Sequence, residues 1–328
     1  MGSGRWSPTT YHERADAKAA SGKDVFDYSK SAHQSGNLRP HQTLDPSGME
    51  FRESRDSAEH PNSTAIVIGL DVTGSMGRVV RGIHANLPRL HELLLGHNYV
   101  PDPQIMFAAV GDATCDRVPL QVGQFESDNR MDQNLENMIL EGGGGGGAKE
   151  SYELMLYVAA RHTRTDCWEK RGRKGYLFVI GDEAAYPAVY RSHVQRLFGE
   201  AAGLQADLPL AELIDEVRQR YHVYFVIPGG ASHGNDRTIL DFWRHHLGEA
   251  SVIRLEDPND TSESIALTIG VNEGVITVAD GARQMRDRGV VGRTIDRLSN
   301  ALASVITGRD PRPADGDGTS TGGRARRL

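Results

Sequence analysis

Residues 65–70, Ala65-Ile66-Val67-Ile68-Gly69-Leu70, form a nearly unbroken apolar run that ends at Asp71. Such a run is typical of a parallel strand that is buried on both faces of its sheet. A helical pattern follows, and Pro88 lies inside it, where a proline is expected to kink a helix. The apolar side of this helix comprises Val79, Val80, Ile83, Leu87, Leu90 and Leu94.

The alternation of strands and helices continues along the chain. Buried strands are predicted at residues 105–110, 176–180 and 223–227, an edge strand at 118–125, and a last strand at 251–255. Helices are predicted at residues 131–140, 151–161, 193–198, 210–221, 237–247 and 294–306. This pattern predicts an α/β fold with a doubly wound, mostly parallel, Rossmann-like sheet and helices on both of its faces.

The two ends of the chain differ in composition from its middle. Residues 1–62 are polar but contain several aromatic residues, so we expect a partly ordered N-terminal arm. Residues 63–307 are expected to form the α/β domain with its C-terminal helices. Residues 308–328 are rich in Gly, Asp, Arg, Thr and Pro, which favours a disordered tail. The aromatic residues of the arm are Trp6, Tyr11, Phe26, Tyr28 and Phe51.

The bulk composition argues against several classes of partner. The net charge is −7 and the isoelectric point is about 6.0, without a strong basic block in the interior, so nucleic acid is not expected as a partner. Two cysteines suit a reducing compartment. Neither a signal-peptide pattern nor an apolar run of about 20 residues is visible, which predicts a cytoplasmic protein that does not enter a membrane.

Acidic residues follow three of the predicted strands. Asp71, Asp112 and Asp182 come after the carboxyl ends of their strands, where open parallel sheets bind ligands. Three carboxylates at one edge repel one another unless a cation or solvent separates them. Oxygen ligands suit Mg²⁺, Mn²⁺ or Ca²⁺ better than zinc. No Cys/His cluster has zinc spacing, and His84 and His91 are expected at the surface.

The turn Asp71-Val72-Thr73-Gly74-Ser75 has two interpretations of about equal weight. An extended turn places residues 71, 73 and 75 on one side, so that one carboxylate and two hydroxyls converge above the strand. In the other interpretation, Thr73 or Ser75 only satisfies the first amides of the next helix.

This turn resembles the metal-ion-dependent adhesion site of the von Willebrand factor type A family. The family motif is Asp-x-Ser/Thr-x-Ser after the first buried strand, and residues 70–76, Leu-Asp-Val-Thr-Gly-Ser-Met, match it closely. A later family Asp, at the end of the fourth strand, falls on Asp182. The resemblance covers about residues 63–255 and implies a divalent cation, Mg²⁺ or alternatively Mn²⁺ or Ca²⁺, bound by Asp71, Thr73, Ser75 and Asp182.

The sequence departs from the family at one ligand. The family usually supplies a Thr from a glycine-rich loop, and the equivalent residues 142–147 contain none. The replacement candidates are Glu150, Ser151, Asp112 or a water molecule.

These observations predict a metal-ion-dependent protein-binding module or adaptor rather than an enzyme. The cation would keep one coordination position open for an Asp or Glu of a partner protein. The resemblance further implies that the partner belongs to a complex linked to an AAA+ ATPase. Two alternatives stay open: a metal-dependent hydrolase that uses the same acidic edge, and a metal-free structural scaffold.

Overall fold

A computed structural model describes residues 4–142, 149–199, 204–287, 289–290 and 292–307, apart from the side chains of Ser75, Ser304, Ile306 and Thr307. The glycines at 143–147 and the tail at 308–328, which was expected to be disordered, lie outside the described residues. The fold is mixed α/β, with a mostly parallel central sheet and helices around it.

Among the described residues, the central sheet contains six strands in the order β6-β5-β4-β1-β2-β3. All neighbouring pairs are parallel except β2 and β3, which are antiparallel. The strands are β1 (Thr64–Asp71), β2 (Pro103–Val110), β3 (Leu120–Val122), β4 (Gly175–Ile180), β5 (Tyr221–Ile227) and β6 (Val252–Arg254).

In the part of the chain that the structure describes, three pairs of very short strands lie outside this sheet. They are Arg52–Ser54 with Thr163–Thr165, Lys149–Glu150 with Ala184–Ala185, and Ala188–Val189 with Leu208–Pro209. The second pair brings Glu150 beside the segment that follows β4, which matters for the candidate site.

The helices surround the sheet. They are α1 (Pro8–Ala20), α2 (Asp27–Ser35), α3 (Gly77–Ala85), α4 (Leu87–Gly96), α5 (Arg130–Glu136), α6 (Tyr152–Arg161), α7 (Asp166–Glu169), α8 (Arg191–Phe198), α9 (Leu210–Arg220), α10 (Arg237–Leu247), α11 (Thr261–Asn272), α12 (Val278–Asp287) and α13 (Gly292–Thr307). Short 3₁₀ turns lie at Gly74–Met76, Glu249–Ser251 and Pro258–Asp260.

The helix expected to kink at Pro88 is instead two helices, α3 and α4, which meet at Asn86. Pro88 lies in the first turn of α4. Its missing N–H costs nothing there, because the first amides of a helix have no partner within the helix. Pro88 therefore starts a helix and does not bend one.

Each face of the sheet buries its own apolar core. Along β1, Ile66, Ile68 and Leu70 face the core formed with α3, α4, α11 and α13. Ala65 and Val67 face the other core, formed with α6, α9 and α10. This alternation follows from the two-residue period of a strand. Burial on both faces explains why residues 65–70 lack polar side chains.

The N-terminal arm is helical and packs on the domain. The ring of Trp6 stacks on His91 with 4.6 Å between the centroids, and its N–H donates to Asp132 Oδ1 at 2.8 Å. His84 and His91 are both buried, so the expectation that they lie at the surface was wrong. They share the apolar side of α3 and α4, and the arm covers them. Burial lowers the pKa of His91 to about 3, which keeps its ring neutral.

Within the described residues, no helix combines the length and the apolar character that crossing a bilayer requires.

Candidate functional site

The candidate site lies where the strand order of the sheet reverses. Asp71 ends β1, which lies between β2 and β4 and is in register with both: Asp71 pairs with Val110, and Leu70 pairs with Ile180. Asp112 and Asp182 therefore follow the two flanking strands at the same edge. We call the five carboxylates at this edge the acidic rim. Its members are Asp71, Asp112, Glu150, Asp182 and Glu183.

Asp71 and Thr73 are joined within the turn. Asp71 Oδ1 accepts hydrogen bonds from the Thr73 main-chain N–H at 2.8 Å and from its hydroxyl at 2.6 Å. The hydroxyl thus gives its only proton to a carboxylate and keeps its lone pairs, which makes the oxygen a suitable cation ligand. Ser75 lies in the 3₁₀ turn Gly74–Met76, and its side chain is outside the described part of the structure.

Tyr152, the first residue of α6, donates its hydroxyl to Asp71 Oδ2 at 2.6 Å. The side chain is fully buried, and its ring packs edge-on against Phe225 and Trp243. Gly181 makes room for it, because a Cβ at that position would lie 2.1 Å from the Tyr152 oxygen. Tyr152 could not be recognised as a site residue from the sequence, since a tyrosine in a helical pattern is usually a core residue.

Asp112 repeats the geometry of Asp71 on the neighbouring strand. Its Oδ1 accepts from the N–H and the hydroxyl of Thr114, both at 2.8 Å. The hydroxyl of Tyr186 lies 3.1 Å from each of its two oxygens. Two Asp-x-Thr turns, each with a tyrosine hydroxyl on the Asp, therefore stand side by side at the rim.

Glu150 is buried, and one of its two carboxyl oxygens has no hydrogen-bond partner among the described residues. The residue is 2% exposed, and the oxygen without a partner is Oε2. Burial, together with the charges of Asp71 and Glu183, raises the pKa of Glu150 to about 10. Ser151, another candidate replacement ligand, accepts a hydrogen bond at Oγ from the Ala113 main-chain N–H at 2.9 Å.

Asp182 and Glu183 are held by the loop after β5 and by α10. The His233 main-chain N–H donates to Asp182 Oδ2 at 2.8 Å, and the Nδ1 atom of the His233 ring lies 3.5 Å from Glu183 Oε1. The indole of Trp243 donates to the Glu183 carbonyl at 2.8 Å. Burial and the charges of Asp71 and Asp182 raise the pKa of Glu183 to about 7.

The crowding of the rim suits a divalent cation. Burial raises the pKa of Asp71 to about 6 and the charge of Asp182 adds to this, although the bonds from Thr73 and Tyr152 oppose it. A bound cation would offset the free-energy cost of keeping these buried, crowded carboxylates ionised. Among the described residues, no three His, Cys, Asp or Glu side chains are placed to hold an ion. The expected ligand set is of a different kind, because it contains two carboxylates and two hydroxyls.

A cleft of about 320 Å³ borders the loop that holds Asp182. Arg78, near the start of α3, is exposed at this cleft. Gly229 allows the two loops of the cleft to meet, because a Cβ there would lie 2.0 Å from the Glu256 carbonyl oxygen. The other lining residues are Val79, Gly230, Ala231, Asp257, Pro258 and Asn259.

No family model matches this chain, and neither does any curated protein. Among solved structures, proximal thread matrix protein 1 from the mussel byssus is 10% identical with a TM-score of 0.41, over 66% of this chain and 48% of that chain. The pilus adhesin SpaC from Lactobacillus rhamnosus GG is similar in two structures, at 8% and 9% identity and TM-scores of 0.43 and 0.42. These matches cover 67% of this chain and 31% and 32% of the adhesin. The chain thus spans less than half of each protein, and similarities this low establish neither family nor function.

Proposed function

We propose that this chain is a metal-ion-dependent protein-binding module or adaptor of the von Willebrand factor type A kind. A divalent cation, Mg²⁺ in the first instance, is bound by Asp71, Thr73, Ser75 and Asp182. One of Glu150, Ser151, Asp112 or a water molecule takes the place of the Thr that the glycine-rich loop lacks, and a water keeps the set at two carboxylates and two hydroxyls. An acidic side chain of a partner protein completes the coordination of the ion.

The observation that carries this proposal is the Asp71–Thr73 turn beside a buried carboxylate that has one oxygen without a partner. A helix cap alone explains neither feature: Thr73 makes no side-chain capping bond to the turn that follows, and Glu150 Oε2 has no hydrogen-bond partner among the described residues. Burying carboxylates without partners costs free energy, and a helix cap does not offset that cost.

The strand order supports the proposal of a doubly wound sheet. Numbered along the chain, the order 3-2-1-4-5-6 is that of doubly wound sheets, which bind ligands at the point where the order reverses. Asp71 lies at this point, between β1 and β4. Helices on both faces complete the doubly wound arrangement that we propose.

The charge of the rim explains why binding of an acidic partner requires the cation. Without it, the approach of a further carboxylate to the rim is repulsive. With it, the ion attracts the incoming carboxylate at short range, and exposed Arg78 adds a positive charge beside the cleft. An AAA+-linked complex stays a prediction for the identity of the partner.

Calorimetry with Mg²⁺ alone tests the cation site. Asp71→Asn keeps the shape of the side chain and removes its charge, so we expect the heat of Mg²⁺ binding to disappear. Asp241→Asn, an exposed position on α10, is the matched control and should bind Mg²⁺ as the natural protein does. Equal binding by all three proteins would refute the proposed ligand set.

Affinity capture separates binding from the alternatives. A cation-dependent module retains its partner in Mg²⁺ and releases it into a chelator, and Asp71→Asn captures none. If Mg²⁺ gives no heat of binding and the protein captures its partner equally well in Mg²⁺ and in a chelator, the chain is a metal-free scaffold. Turnover of simple phosphoesters that disappears with Asp182→Asn would instead identify a hydrolase.

A further inference from the structure

A small pocket lies at the edge of the central sheet opposite to the acidic rim. The rim follows the carboxyl ends of β1, β2 and β4, whereas this pocket is lined chiefly by residues at the amino ends of the same strands. Since β1 and β4 are parallel and paired in register, their amino ends lie side by side. We call this the amino-edge pocket. Asn62 and Thr64 line it at β1, Pro101 at β2, and Arg173 and Lys174 at β4.

The volume of the amino-edge pocket is about 60 Å³. Roughly 10–15 Å³ holds one water molecule, so the pocket takes about four to six non-hydrogen atoms. A phosphate group has about this number of non-hydrogen atoms, whereas a whole nucleotide is several times larger. The pocket therefore has the size for one tetrahedral oxyanion.

The lining of the pocket is basic, although the net charge of the chain is −7. Three basic side chains, Arg171, Arg173 and Lys174, stand against one acidic side chain, Glu273. Both oxygens of Glu273 are already used: the Tyr176 hydroxyl donates to Oε1 at 2.6 Å, and Arg173 donates to Oε2. This carboxylate therefore does not offset the charge of Lys174.

Ion pairs hold the two arginines in place. Arg171 donates to both oxygens of Asp56, at 2.7 Å and 3.1 Å, and to the Ser63 carbonyl at 2.7 Å. Lys170, the preceding residue, is also paired, with 2.6 Å between its Nζ and Asp166 Oδ2. The basic run at residues 170–174 is thus partly neutralised, and it does not form the broad basic surface that nucleic acid requires.

Lys174 and Thr64 provide donors that the protein itself leaves unused. Lys174 is exposed, and its ammonium makes no ion pair or hydrogen bond with the described residues. Thr64 is 8% exposed, and its hydroxyl has no hydrogen-bond partner in the same part of the chain. A hydroxyl at a nearly buried position costs free energy unless a water molecule or a ligand accepts its proton. An oxyanion in the pocket would accept from both groups.

We propose that the amino-edge pocket binds one phosphate group, either free or carried by a small phosphomonoester. Lys174 supplies the charge, Thr64 and the remaining N–H groups of Arg173 supply hydrogen bonds, and the ion pairs keep the arginines in position. Hydrogen bonds to an ionised acceptor are about twice as strong as those between neutral groups. The pocket is separate from the proposed cation site, and this inference does not rest on that function.

Calorimetric titration with inorganic phosphate, in a metal-free buffer, tests the inference. We expect one phosphate to bind per chain. Lys174→Gln should weaken binding by about tenfold, because it removes one hydrogen bond between charged groups. Thr64→Val should weaken binding by about threefold without lowering the melting temperature, since the lost hydroxyl has no partner in the protein.

Two variants serve as controls. Lys23→Gln changes another exposed lysine without a partner among the described residues, in the arm, and should bind phosphate as the natural protein does. Asp71→Asn should also bind it normally, because Asp71 lies at the opposite edge of the sheet. Loss of phosphate binding in Asp71→Asn would place the anion at the rim and overturn the inference.

A parallel titration with methyl phosphate identifies the source of the phosphate group. Binding at least as tight as that of inorganic phosphate indicates a phosphomonoester, and weaker binding indicates free phosphate. The inference is wrong if the natural protein binds neither anion. It is equally wrong if Lys174→Gln and Lys23→Gln bind phosphate with the same affinity, because the anion then binds elsewhere.

Discussion

The indole N–H of Trp243 donates to the main-chain carbonyl of Glu183 at 2.8 Å, which joins helix α10 to the acidic rim. Trp243 is completely buried, and its ring also contacts Tyr152, which holds Asp71. One tryptophan is thus coupled to two sides of the proposed cation site. An ion that rearranges the rim will change the surroundings of this ring.

Trp243 fluorescence is therefore expected to respond to Mg²⁺. The emission of the natural protein should change on titration, and the change should disappear in Trp243→Phe. The chain has three tryptophans, and Trp168→Phe should keep the response because its side chain belongs to α7. A response of equal size in Trp243→Phe would show that the signal arises elsewhere.

Thr73 is expected to contribute through its hydroxyl. Thr73→Val keeps the shape and removes the oxygen, so Mg²⁺ affinity should fall by about tenfold or more, as for loss of one charge-assisted hydrogen bond and one ligand. Thr73→Ser retains the oxygen and should stay within a few-fold of the natural affinity. Calorimetry measures both, and equal affinity for Val and Ser variants would mean that Thr73 only shapes the turn.

Most of the sheet could be predicted from the sequence, because continuous apolar runs identify strands buried on both faces. The runs at 65–70 and 105–110 lie within β1 and β2, and 237–247 matches α10. The expected helix at 131–140 is shorter, since α5 ends at Glu136. Several buried residues of α5 are polar, and side-chain hydrogen bonds satisfy them. The periodicity of apolar residues alone therefore does not show the extent of this helix.

The candidate site was predictable only in part. Asp71 and Thr73 are adjacent in sequence, so a local motif finds them, and their hydrogen bonds agree with the expected convergence. Tyr152 is 81 residues from Asp71 and reaches it through the packing of α6 on the sheet. No sequence pattern encodes that contact, because it depends on tertiary packing.

The two helices of the arm could not be predicted from the sequence for a related reason. These helices, α1 and α2, are polar on most sides and show little periodicity, because their stability comes from specific contacts with the domain. Arg14 and Lys18 both donate to Glu136 Oε2, at 2.9 Å and 2.6 Å, and His33 contacts the Leu140 carbonyl at 2.7 Å. Such contacts depend on tertiary structure and are invisible to a pattern of apolar residues.

Removing the anchor of the arm should destabilise the protein. Trp6→Ala loses the stacking on His91 and leaves Asp132 Oδ1 without its donor, so we expect a loss of about 2 kcal/mol in the free energy of unfolding. Chemical denaturation measures the loss. Arg5→Ala, at an exposed neighbouring position, should change stability by less than about 0.5 kcal/mol. Similar values for both variants would show that the arm does not stabilise the domain.

The acidic rim should make stability depend on pH in an unusual direction. The pKa of Glu150 is raised from 4.5 in an unfolded chain to about 10 in the folded protein. Between these values the unfolded state binds fewer protons than the folded state, so the free energy of unfolding falls as pH rises. Asp71 and Glu183 act in the same direction, because their pKa values are raised to about 6 and about 7.

Thermal melting in a chelator should therefore show a falling melting temperature between about pH 5 and about pH 9. Glu150→Gln carries no proton that can be released, so its curve should be flatter and its melting temperature at alkaline pH higher than that of the natural protein. Mg²⁺ should raise the alkaline melting temperature of the natural protein, because binding to the folded state alone stabilises it. Asp241→Asn should follow the natural curve throughout. A Glu150→Gln curve parallel to the natural one would mean that Glu150 is ionised in the folded protein, with a partner or solvent at its free oxygen.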